Sequence, residues 1–229
     1  MPPLIEISND LHPWIPFLAL ALLLCALLAW LANFRLKALF PQPGRRLLTL
    51  FVSIQAFLLM SNYFMVQGST DFFPEILWNL DEEWTIPSVH STIQLLLLAS
   101  LCCMNGFRNR GPGLPERAWW LVLGLAIIGL AMLEFFEFFK FMISGPLIAR
   151  ASGVSLLLTS LLMAWQRRRD GPRRNGLLLF LGGMGMWAFG VFRLDFPIVP
   201  ATFRPLEETV ETLGIAVAIA GATGYAQAS

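Results

Sequence analysis

The chain has 229 residues, of which 56% are hydrophobic and 14% charged, with a net charge of +1. Several runs of about 20 apolar residues fit a multi-span membrane protein and exclude an ordinary soluble domain. Cys25, Cys102 and Cys103 all fall in apolar runs with no spaced partners, so neither a disulfide framework nor a zinc ribbon is expected.

The first apolar run covers about 14–34, opened by His12-Pro13-Trp14-Ile15-Pro16. Glu6 and Asp10 precede it and no Lys or Arg comes before Arg35, so it lacks the basic leader of a cleaved signal and reads as a retained span. A basic, Pro/Gly-punctuated turn over 35–46 leads to a second span over about 47–66. The segment 68–85 then carries Asp71, Glu75, Asp81, Glu82 and Glu83 and no basic residue. Its Phe72, Phe73, Trp78 and Trp84 would lie toward lipid if Pro74 opens an interfacial helix.

The third span is expected over about 86–106, with Pro87 in its first turn, where proline is tolerated. A second basic turn, 107–117, precedes a fourth span over about 118–143, which Ser144-Gly145-Pro146 breaks. The fifth span covers about 147–165, and Arg167, Arg168, Arg169, Arg173 and Arg174 form the third basic turn. The sixth and seventh spans cover about 176–196 and 206–225, with Pro197, Pro200 and Pro205 between them.

The expected architecture is therefore an all-α, seven-helix transmembrane bundle forming one domain over 1–229. Twelve of the 16 Lys and Arg fall in the three basic turns, which occupy alternate loops. The positive-inside rule makes those loops cytoplasmic, the N-terminus periplasmic and the C-terminus cytoplasmic.

Charge inside the spans singles out candidate functional residues. Glu134 lies roughly 22 Å along the fourth span from Trp119, within a hydrocarbon core of ~30 Å, and an ionisable residue there marks a functional or packing-critical position. Glu137 and Lys140 are three residues apart and can pair locally. Arg150 has no acidic residue near it in sequence, so its partner must come from another helix, with Glu134 first and Glu211 second in line. His90, Glu134, Arg150, Arg193 and Glu211 are thus expected in one layer of the outer half. Glu137 and Glu208 stand beside them.

Two readings of that layer are open. One is a structural ion-pair lattice, the other a small polar cavity for an ion, a proton or an anionic head group. Glu207 and Glu208, in a first helical turn, also suit plain dipole compensation. The pairs Glu134/Glu137 and Glu208/Glu211 lack the histidines that carboxylate metal sites in bundles use, so no metal or other cofactor is expected. With only His12 and His90, a three-histidine zinc site and an intrachain bis-histidine haem are excluded. Lys37 and Lys140 lie outside mid-span positions, which excludes a retinal Schiff base.

Small residues pattern the sixth span (Gly182, Gly183, Gly185, Ala188 and Gly190) and the seventh (Gly214, Ala218, Gly221, Ala222 and Gly224). Small residues three and four apart let membrane helices approach closely, which would bring Arg193 near Glu211.

Three stretches, Leu80-Asp81-Glu82-Glu83-Trp84, the acidic end of the fourth span, and Leu206-Glu207-Glu208-Thr209-Val210-Glu211-Thr212-Leu213-Gly214, resemble a family of uncharacterised bacterial multi-pass inner-membrane proteins. In that family an Asp-Glu is followed by a His-Glu at the end of the fourth span. Here Glu134 matches the Glu, Leu133 replaces the Asp, and Phe139-Lys140 stand in place of His-Glu. The resemblance implies a seven-span inner-membrane bundle and no activity. The functional expectation is a ligand-binding, sensory or complex-assembly component with the bilayer and other membrane proteins as partners, and no nucleic acid. A small secondary transporter or proton-coupled permease comes second, although no broken-helix pair is evident. A lipid-modifying enzyme using Glu134 or Glu211 as base comes third.

Overall fold

The computed structural model describes residues 14–35, 37–40, 42–66, 86–108, 114–136, 158–163, 165–167, 169–190 and 204–228. These residues are helical throughout apart from short turns. We number the principal helices α1 (Trp14–Trp30), α2 (Gln42–Val66), α3 (Ile86–Arg108), α4 (Leu114–Phe136), α5 (Gly171–Phe189) and α6 (Arg204–Gln227). Among the described residues, five helical segments are long and apolar enough to cross a membrane: Ile15–Arg35, Gln42–Phe64, Val89–Phe107, Pro115–Met132 and Pro205–Gln227.

Helix ends depart from the expected spans where local chemistry decides them. α2 begins at Gln42 instead of near Leu47, because Pro43 sits in its first turn, where the missing N–H would have no intrahelical acceptor. α5 likewise starts at Gly171, with Pro172 in its first turn and Asp170 as N-cap accepting from the Arg173 backbone N–H. Both prolines belong to the helices they precede in the sequence pattern, so the basic turns are shorter than their composition suggests. α1 continues as a π-helical turn, Leu31–Arg35. There Asn33 donates to the carbonyl of Ala29 at 2.9 Å and to Thr49 Oγ1 of α2 at 3.0 Å.

α6 is the hub. It packs against α1, α2, α3 and α5, and 83% of its membrane-span window is buried, against 22% for α1. A helix enclosed by neighbours must offer small or apolar residues on every face, and α6 does so through Ala216, Ala218, Ala220, Gly221 and Ala222. Two of its buried hydroxyls are satisfied within the helix: Thr209 donates to Pro205 O at 2.6 Å and Thr223 to Ile219 O at 2.8 Å.

The contact between α5 and α6 is an antiparallel seam. Gly176 faces Tyr225, Phe180 faces Gly221, Gly183 faces Ala218, Trp187 faces Gly214, and Gly190 faces Glu211. The steps alternate between four and three residues on both helices, the repeat that keeps one face toward a partner over several turns. In most layers a glycine admits a large residue from the other helix. A Cβ on Gly176 would lie 2.7 Å from the Tyr225 backbone nitrogen, and one on Gly214 would lie 2.7 Å from the Gly183 carbonyl oxygen. Gly182 and Gly185 share the sequence pattern but face away from the seam; a Cβ on either meets nothing within 4 Å.

Cross-contacts also align the helix ends. Gly44 abuts Ala220, Asn105 donates its side-chain amide to the Ala222 carbonyl at 3.1 Å, Gly106 lies against Leu121, and Gly176 lies against Tyr225. The C-terminal ends of α3 and α6 and the N-terminal ends of α2, α4 and α5 therefore share one end of the bundle. Arg45, Arg46, Arg117, Arg173 and Arg174 sit on these helix ends, so the alternation read from the sequence becomes a basic end in three dimensions.

Candidate functional site

Away from the basic end, α3 enters the bundle with His90 one turn from its start, about 6 Å along the axis at ~1.5 Å per residue. The helical period brings Gln94 beneath it on the same face. His90 is 8% exposed and Gln94 fully buried, and their Nε2 atoms lie 3.0 Å apart. The imidazole also meets Phe51 of α2, ring centroids 5.9 Å apart. Gln55, one turn along α2 from Phe51, is 2% exposed.

The His90–Gln94 pair cannot satisfy itself. If the Gln94 amide donates to His90 Nε2, then Nδ1–H lacks an acceptor and the amide oxygen lacks a donor. If the amide is turned over, Nε2–H donates to its oxygen, leaving Nδ1 as an acceptor and the amide NH2 as a donor without partners. Nδ1 of His90, Oε1 of Gln94 and Nε2 of Gln55 have no hydrogen-bond partner among the described residues. An unmet buried polar group costs about 1–3 kcal/mol. Two residues one turn apart that leave both a donor and an acceptor unmet therefore call for a third group that can both donate and accept.

The carboxylates on α6 are placed by the seam. Glu211 occupies a seam position, and its side chain lies over Gly190, where a Cβ would come within 3.2 Å of Oε1. Glu211 and Glu208 are half-buried, and Glu207 is 4% exposed. Glu134 lies in the last turns of α4; its side chain is outside the described residues, as are Glu137, Arg150 and Arg193. The expected pairings of Glu134 with Arg150 and of Arg193 with Glu211 thus fall outside the described residues. No group of three or more His, Cys, Asp or Glu among the described residues could hold a metal ion.

The basic half of the bundle has a different character. Trp120 and Phe180 are buried, their ring centroids 5.6 Å apart, and Trp120 lies 4.9 Å from Tyr225. The Arg173 guanidinium sits 5.9 Å above the Tyr225 ring. Trp119 donates to Thr159 Oγ1 at 3.2 Å, and Arg167 forms an ion pair with buried Glu116. These two contacts tie the end of the expected fifth span to the start of α4.

Sequence reasoning singled out His90 but not its partner. The signal was present: Gln94 is the polar residue four positions on, at the head of the run Leu95–Leu98. The Glu116–Arg167 pair was hidden because 51 residues separate the two. Comparisons with protein-family models, with characterised proteins and with solved structures found no match to this chain.

Proposed function

We propose that the chain is a seven-span protein of a bacterial inner membrane, its basic end cytoplasmic, with a polar ligand site in the periplasmic half, where it acts as a binding, sensory or complex-assembly component. The observation that carries this reading is the His90–Gln94 pair, buried and, among the described residues, short of one donor and one acceptor in either tautomer. Two features support the span count beyond the five helices of spanning length. α5 packs along α6 through the entire seam, and the segment 158–167 docks on α4 at the basic end.

The aromatic cluster of Trp120, Phe180 and Tyr225 fills the basic half next to the seam. This favours a site reached from one face over a path between faces, and so favours binding over transport. Glu208 and Glu211 on α6, with Glu134, Glu137, Arg150 and Arg193, complete the proposed layer as the charged groups that would select or neutralise a ligand.

Chemical accessibility tests the reading. In a background with Cys25, Cys102 and Cys103 replaced by alanine, His90→Cys is treated with a small membrane-impermeant methanethiosulfonate in right-side-out and inverted vesicles. Modification from the periplasmic side alone is expected. Protection from both sides, relieved only by denaturation, would make the pair a closed structural contact and defeat the proposal.

A further inference from the structure

The His90–Gln94 pair lies where two helices face each other without close packing. α2 and α3 each pack along α6 but scarcely on one another, and side chains bridge the gap between them, as Phe51 and His90 do. The helical repeat puts Gln55 and Leu59 on the Phe51 stripe of α2, and Gln94 and Leu98 on the His90 stripe of α3. All six residues are buried.

The unmet groups along these stripes keep one balance in either orientation of the pair. With Gln94 donating to Nε2, the unmet donors are His90 Nδ1–H and the Gln55 NH2, and the unmet acceptor is Gln94 Oε1. With the Gln94 amide turned over, the donors are its NH2 and that of Gln55, and the acceptor is His90 Nδ1. Among the described residues, then, two donors stand against one acceptor in both states. A hydroxyl is the complement, with one O–H to give and two lone pairs to receive. A carboxylate only accepts, an ammonium only donates, and an ether oxygen has no proton to give, so each leaves a buried group unmet. Phe51, Leu59 and Leu98 are apolar, so the body that carries the hydroxyl is apolar too; a polyol would bury further hydroxyls against them.

We propose that the gap between α2 and α3 seats one uncharged hydroxyl carried by an apolar molecule dissolved in the bilayer. Both helices are long and apolar enough to span a membrane, which makes the bilayer the source. Two kinds of molecule bring that chemistry, a hydroquinone with an alkyl tail and a diacylglycerol. The inference rests on the reading of His90 as a ligand site and adds the class of group that the site takes.

The test is native mass spectrometry of the full chain, released from detergent after incubation with a decyl hydroquinone or dioctanoylglycerol, each compared with its methyl ether. At least one hydroxyl compound should be retained at least about fivefold better than its ether, because the ether leaves the buried acceptor unmet. The compound retained names the source. His90→Phe combined with Gln94→Met removes both ends of the pair and should abolish the preference. Ser100→Ala, on an exposed part of α3, should keep it. Gln55→Leu removes a donor and not the acceptor, so it should weaken hydroxyl and ether alike and leave their ratio unchanged. No preference in the parent for either hydroxyl compound would overturn the inference, as would a preference that survives in a folded double variant. Should the double variant fail to fold, Gln55→Leu decides, since unchanged retention there would place the ligand elsewhere. Modification of His90→Cys from the periplasmic side without any hydroxyl preference would leave the site standing and reject its ligand class alone. Protection of His90→Cys from both sides would remove both.

Discussion

Gly183 of α5 lies so close to Ala218 of α6 that a methyl group on Gly183 would sit 2.9 Å from the Ala218 Cα. The obstacle is backbone, which cannot rotate aside, so even one carbon must push the two helices apart. Gly182, its neighbour in sequence, faces open space. Gly183→Ala should therefore lower stability in detergent by about 1–3 kcal/mol. Gly182→Ala should raise it by up to about 1 kcal/mol, because alanine is the better helix former. Thermal melts of the two variants check the register of the seam. The same sign for both would show it to be misassigned.

Glu116 and Arg167 offer a second test. Glu116 is 5% exposed and Arg167 half-buried, and removing one partner leaves the other charge uncompensated. Glu116→Gln and Arg167→Met should each cost about 3 kcal/mol, and the double variant should recover much of that loss. Additive losses in the cycle would mean that the segment 158–167 is not held to α4 by this pair.

Trp120 tests the closure of the basic half. It is fully buried, and its indole nitrogen has no partner among the described residues. Its value is thus volume and ring contact. Trp120→Phe should cost about 1 kcal/mol, since it also removes an unmet donor, and Trp120→Ala about 3–5 kcal/mol. Equal losses for Phe and Ala in denaturant or thermal unfolding would point instead to a hydrogen bond through the indole.

Much of the bundle was legible in the sequence because span length and charge alternation are one-dimensional signals. The apolar runs around Leu23, Leu58, Leu98 and Ile127 fall in α1 to α4, and the basic turns gather at one end. The seam was legible only in part. Glycine spacing marked the right two helices, but Gly182 and Gly183 are equivalent in composition, and only the register of α5 on α6 tells which one faces inward. The hub role of α6 was not legible, since being surrounded is a property of the neighbours. At the site, His90 stood out as an ionisable residue in a span. Gln94 and Gln55 did not, because an uncharged amide in an apolar run is cheap enough to pass as a lone core residue until its partners are known.

The most direct measurement of the central claim leaves the His90–Gln94 pair intact. The chain has two histidines, so His12→Asn makes His90 the single imidazole, which 15N-histidine labelling then reports in bilayer samples by water-edited solid-state NMR. The account predicts rapid transfer of water magnetisation to the imidazole of His90, as a site open to an exchangeable donor and acceptor requires. An imidazole that receives no magnetisation from water, with Nδ1 shifts of a dry, fully hydrogen-bonded ring, would contradict it.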